Sequence, residues 1–182
     1  MDDWVIDYGL VCRGGAAGGC GYDLRTQRSS GRCPECGEAV SRSLVSAWDG
    51  LREDGVGLIF RDGFLHPGVQ KLASRSPHSR EALGRLCRAR RFVFDACRTP
   101  RDTPVAPGRE RVTAADQCRG LRDFYRLAYA DDARGVLTED GWSASAAVGV
   151  AVHQLAAFGT LSVGPDEPIA AYRDVACPSP LP

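Results

Sequence analysis

Residues 20–37 read Cys20-Gly21-Tyr22-Asp23-Leu24-Arg25-Thr26-Gln27-Arg28-Ser29-Ser30-Gly31-Arg32-Cys33-Pro34-Glu35-Cys36-Gly37. Two Cys-Gly steps frame a short polar arm, and the second follows a compact Cys33-Pro34-Glu35-Cys36 turn. A Cys-x-x-Cys turn supplies two thiolates from one bend, which suits an ion that takes four ligands in a tetrahedron. Pro34 fixes φ inside that bend. Gly21 and Gly37 permit positive φ just after a sulfur, so that a backbone N–H can turn back onto a thiolate. This spacing predicts a structural zinc site with Cys33 and Cys36 as its firm half.

The other half departs from the usual spacing. A second knuckle would have a cysteine at position 17, where Ala17 stands, and the next cysteine upstream is Cys12. Arg-Gly-Gly-Ala-Ala-Gly-Gly separates Cys12 from Cys20, against the two to four residues typical within a ligand pair. Lengthening a flexible loop this little adds only a few tenths of a kcal/mol to its closure. The expected ligand set is therefore Cys12, Cys20, Cys33 and Cys36. The alternatives are a three-cysteine site completed by Cys177 or His66, and a site that no longer holds metal.

Disulfides fit the same cysteines poorly. The sequence opens Met-Asp-Asp with neither a basic start nor an apolar targeting segment, so the expected compartment is a reducing cytoplasm. The longest mainly apolar run, Ala144 to Phe158, is interrupted by His153 and Gln154 and is shorter than the roughly 20 residues a membrane span needs. No membrane partner is expected.

The chain has 182 residues, 43% of them apolar, and no formal net charge. That length accommodates one ordinary core and a small appendage. A unit of about 40 residues is too small to fold on burial alone, whereas zinc binding worth an apparent ~10–16 kcal/mol holds such a unit together. The division expected is a zinc ribbon over 1–43, a helical domain over 44–176 and a flexible tail over 177–182. The fold class is mainly α, α+β overall.

Helical spacing supports this division. Leu44, Val45, Trp48 and Leu51 predict a helix over 41–54 capped by Ser41 or Ser43. His66-Pro67-Gly68 reads as a turn. Leu83, Leu86, Cys87, Arg90, Val93, Phe94 and Cys97 trace one side of a helix from Ser79 to about Cys97. Cys87 and Cys97 lie on that stripe and read as buried hydrophobes. Residues 99–108 hold three prolines and read as a loop. Thr113 with Asp116 three residues on marks a helix start. A last helix begins at Ser143 or Ser145 and stops at Gly159. Beyond it, Leu161–Val163 reads as a strand, with Ile169, Ala171 and Tyr172 available as its partner in a C-terminal hairpin.

The segment from Cys12 to Gly37 resembles the zinc ribbon at the N-terminus of many uncharacterised bacterial proteins, whose pattern runs CxxCGYDL…RCPECG. Cys20 through Arg25 and Arg32 through Gly37 carry the likeness. Much of residues 79–176 resembles an uncharacterised bacterial family, the Minf-type family. Arg91-Phe92-Val93-Phe94-Asp95-Ala96 is similar to its RFVFEAL helix. The likeness continues through Val112 to Tyr125, Thr138 to Trp142, and Phe158-Gly159. It implies a small, mostly helical domain, in some members preceded by a zinc ribbon, and it implies no reaction.

No HExxH, GxSxG or Walker-type loop is present. The three histidines, His66, His78 and His153, are scattered. The adjacent carboxylates Asp131-Asp132 and Glu139-Asp140 read as solvated surface. The expected function is thus a non-enzymatic cytoplasmic binding or adaptor protein, with no small-molecule substrate and a protein or nucleoprotein assembly as partner. A second expectation is binding of nucleic acid or the ribosome through Arg25, Arg28 and Arg32 of the ribbon and the arginines of residues 80–98, Arg88 and Arg91 foremost. The bland reading of that stretch is a solvated helix face. A third is an enzyme whose site would gather His66, His153 and acidic residues.

Overall fold

The computed structural model describes residues 3–13, 19–53, 60–61, 64–65, 67–97, 112–164, 167–173 and 175, with the backbone alone at 50–53, 60–61 and 64–65. The expected loop over 99–108, the tail over 177–182, His66 and Cys177 lie outside them. The protein is mainly helical: α1 is Val40–Glu53, α2 Pro67–Ala73, α3 Arg80–Cys97, α4 Ala114–Tyr129, α5 Ala133–Glu139, α6 Ser145–Ala157 and α7 Ile169–Arg173. Two antiparallel two-residue strands, β1 (Phe60–Arg61) and β2 (Phe64–Leu65), lie between α1 and α2.

Residues 3–39 fold as paired extended segments. The lead-in runs antiparallel to residues 22–29: the Cys12 amide donates to Tyr22 O (2.8 Å), Leu24 N to Leu10 O (2.8 Å) and Ile6 N to Gln27 O (2.8 Å). Isolated bridges Val5–Arg28, Val11–Asp23 and Arg32–Ala39 mark the same pairing. Alternation then sends Ile6, Tyr8, Leu10 and Cys12 to one side, and all four are buried.

Helices α3 and α4 start where short polar side chains satisfy first-turn amides. Helices α5 and α6 begin without a side-chain cap, and α1 begins at Val40, with the expected caps Ser41 and Ser43 inside it. Thr113 Oγ1 accepts the Asp116 amide (3.1 Å) while the Asp116 carboxylate accepts the Thr113 amide (3.0 Å), a reciprocal cap on α4. Ser79 Oγ accepts the Ala82 amide at the start of α3 (3.0 Å). The stop of α6 is as the sequence predicts: Gly159 adopts φ +70°, and the Thr160 amide returns to Leu155 O (2.9 Å).

Helices α3 and α4 pack closely because Gly120 faces Val93; a Cβ there would overlap the valine methyl. Trp48 of α1 meets Phe92 of α3 and Phe124 of α4, with ring centroids 6.5 and 5.4 Å away. Ile6, Tyr8, Leu10, Cys12, Leu24 and Cys33 from the N-terminal segment belong to the same buried cluster as Leu83, Phe92, Phe124 and Leu155. One core runs through ribbon and helices.

Several expectations are corrected. The C-terminal hairpin is absent: Leu161–Val163 is irregular, and Ile169–Arg173 is helix. Tyr172 is then buried against Gly149 of α6, whose missing side chain makes room for the ring. Pro67 opens α2 rather than a turn, using its preset φ at a position that needs no amide partner. Phe94 is 39% exposed, off the buried face of α3, with the Arg90 guanidinium 4.9 Å from its ring centre. Asp140 is buried, not solvated.

Candidate metal centre

Two turns and the end of an extended segment deliver four sulfurs to one point. The sulfurs of Cys12, Cys20, Cys33 and Cys36 all lie within 4.8 Å of one another. Cys12 and Cys36 stand 3.5 Å apart, as do Cys20 and Cys33. A tetrahedron with metal–sulfur bonds of about 2.3 Å has edges of about 3.8 Å. A disulfide needs about 2.05 Å. The donor set therefore fits a tetrahedral metal ion, and none of the four cysteines is in a disulfide.

Both knuckles have the expected backbone. Gly21 and Gly37 take φ of +72° and +73°. The Tyr22 amide reaches the Cys20 sulfur, and the Glu38 amide reaches Cys36. The Gly37 amide closes the second turn onto Cys33 O (2.8 Å), and Arg32 donates to Gly37 O (3.0 Å). Such donors stabilise thiolates and orient them toward a metal.

Cys12 arrives by another route. It is the end of the paired lead-in rather than part of a knuckle, which is why the two-residue spacing does not apply to it. Its neighbours are anchored on both sides: the Val11 amide donates to Ala96 O at the end of α3 (2.9 Å), and the Arg13 amide donates to Ser43 Oγ of α1 (2.9 Å). Gly19, at φ +96°, lets the returning chain pass so close to Cys12 that a Cβ would overlap its carbonyl oxygen.

Burial is graded across the site. Cys12 and Cys33 are buried, Cys20 is intermediate and Cys36 is exposed. Without a metal, desolvation pushes the Cys20 thiol up to about 12, while the Glu38 amide holds Cys36 below the usual thiol range. A bound divalent cation would displace these protons and leave four thiolates around it. Four sulfurs would fill the coordination of a tetrahedral ion.

Three of the five arginines proposed for nucleic acid pair with carboxylates. Arg25, Arg28 and Arg32 are exposed on the ribbon, but Arg25 pairs with Asp116 (3.3 Å) and Arg28 with Asp3 (2.9 Å). On α3, Arg91 is exposed and pairs with Asp95 (2.9 Å), and Arg88 is partly buried. Their neighbours turn inward. Arg85 grips both oxygens of buried Asp140, which also accepts the Tyr125 hydroxyl. Arg90 is buried against Glu167 (2.8 Å), which accepts the Tyr172 hydroxyl as well (3.0 Å).

The described histidines do not meet. His78 stacks on Trp142 (ring centroids 4.1 Å apart) and hydrogen-bonds Asp140 O (3.0 Å), while His153 Nε2 contacts Glu167 O (2.7 Å). The buried ion pairs escaped sequence reading because their partners lie 55 and 77 residues apart. No short-range period reports such a contact.

No family model matches the chain, and neither a curated protein nor a solved structure is similar enough to match it.

Proposed function

We propose that the four cysteines hold a structural zinc ion and that the chain is a non-enzymatic cytoplasmic binding or adaptor protein. The observation that carries this reading is the convergence of four sulfurs within 4.8 Å of one another, with backbone amides aimed at two of them. Among the described residues, each buried carboxylate meets a guanidinium: Asp140 with Arg85, Glu167 with Arg90, Asp116 with Arg25, and Asp123 with Arg122 and Arg126. The Asp140–Arg85 and Glu167–Arg90 pairs join separate elements, which favours a rigid body presenting a surface. Val5 and Tyr22 leave the ribbon partly exposed, at 48% and 38%, and offer apolar contact to a protein or nucleoprotein partner.

The resemblance of Cys20–Gly37 to bacterial zinc ribbons agrees with this assignment. Affinity purification from the native cell, with metal analysis of the same reduced sample, tests it. One zinc per chain and a co-purifying protein that survives nuclease treatment are expected. Reduced protein without stoichiometric zinc overturns the metal assignment. A partner lost on nuclease treatment replaces the adaptor reading with the nucleic-acid one, in which exposed Arg28 and Arg32 make the contacts.

A further inference from the structure

The metal-bearing segment is stitched to both ends of the α3–α4 connection. A helix leaves its last carbonyls and first amides without partners inside the helix. At the end of α3, Ala96 O accepts the Val11 amide (2.9 Å). At the start of α4, the capping carboxylate of Asp116 accepts the Gly9 amide (3.0 Å) and faces Arg25 (3.3 Å). Further along α4, Arg119 donates to Asp7 O (2.9 Å), and Trp4 Nε1 donates to buried Asp123 (2.8 Å). The lead-in thus lies across α3 and α4. Its far end is Cys12, held between the Val11–Ala96 and Arg13–Ser43 bonds.

We infer that the metal centre is a clasp for the helical body, so that metal loss loosens the facing ends of α3 and α4 and not only the ribbon. This rests on the reading that the four cysteines hold a metal ion. Cys12 is the ligand through which the effect travels, because it alone among the four lies next to backbone bonds running to α1 and to α3. With the metal bound, residues 9–13 are held at the sulfur and at both helices. Without it, the small paired segment must stay ordered on burial and its bonds to the helices, and the Ala96 carbonyl and the α4 cap lose partners as it frays. Linkage makes the effect reciprocal: whatever the metal adds to the helices, the helices add to metal affinity. Ser43 is therefore a positioning residue for the metal, although its hydroxyl bonds an amide and no sulfur.

The test uses the full chain in reducing buffer, first assayed for zinc, then stripped with a chelator and followed by hydrogen exchange. At least tenfold faster exchange is expected for amides near Ala96 and through the first turns of α4, along with the ribbon. Complete unfolding on stripping supports the clasp equally. Unchanged protection in α3 and α4, with exchange rising only in residues 3–39, overturns the clasp while leaving the zinc assignment standing. Protein purified without zinc fails the assignment itself, so the two failures are distinct. A second arm avoids unfolding: Ser43→Ala should weaken zinc affinity at least threefold in a chromophoric-chelator competition, with one zinc still bound at saturation. Unchanged affinity counts against the coupling.

Discussion

Asp123 shows how far a single side chain departs from its ordinary chemistry in this protein. It is fully buried on α4, accepts Trp4 Nε1 (2.8 Å), and faces the Arg122 and Arg126 guanidiniums at 3.4 and 3.3 Å. Asp7, paired with Arg122, adds a like charge nearby. Burial outweighs the guanidiniums and pushes the carboxyl from 3.8 up to about 6. The sign follows. Below the ordinary value both states hold the proton. As pH rises toward 6 the unfolded chain releases it first, so stability from this group is lost across that window, by about 3 kcal/mol at most. Asp123→Asn removes the loss. Urea unfolding at pH 4, 5, 6 and 7 should show the variant gaining on the parent protein as pH rises to about 6, then holding level. A pH-independent difference would contradict the burial argument.

At the scale of elements, the decisive contact is Arg90 with Glu167. It joins α3 to the segment that leads into α7, and both side chains are almost wholly inaccessible, at 2% and 3%. Glu167 is satisfied by Arg90, Tyr172 and the Gly164 amide (3.2 Å), and Arg90 also donates to Ser162 O (2.6 Å). Ion pairs this deep add little over an apolar pair of equal volume, yet removing one partner strands the other charge. Arg90→Met should cost about 3–5 kcal/mol in chemical unfolding, and adding Glu167→Leu should recover part of it. Equal losses in the single and double variants would show that the pair is not coupled. The same segment explains why residues 161–172 are not a hairpin: the Glu167 anchor and the seat of Tyr172 over Gly149 select a helical turn over strand pairing.

Across the whole molecule, the charge sums to zero and the basic side is almost entirely arginine, with Lys71 the one lysine among 23 basic residues. Four of those arginines, Arg85, Arg90, Arg122 and Arg126, are committed to carboxylates that are themselves buried. A surface that neutralised many phosphates would show a steep fall of affinity with salt. For the zinc-loaded chain, fluorescence anisotropy with single- and double-stranded oligonucleotides should show weak binding at about 50 mM salt and a log–log slope shallower than about −2. A slope of about −4 or steeper would restore the nucleic-acid reading.

By itself the sequence determined which four cysteines converge, the start of α4, the stop of α6, and the mainly helical class. Each rests on chemistry confined to a few neighbouring residues: thiolate spacing around a turn, a hydroxyl reaching a first-turn amide, positive φ at Gly21, Gly37 and Gly159. Cys12 was legible only as the nearest cysteine left over; its geometry comes from strand pairing with Tyr22 and from anchors on α1 and α3. Tertiary structure alone decided which charges went inside, that Phe94 stays outside the covered face of α3, and that ribbon and helices share one core. Those outcomes depend on pairs such as Trp4 with Asp123, separated by 119 residues. Burial and desolvation are properties of the folded neighbourhood, and local periodicity carries no record of a neighbour so distant along the chain.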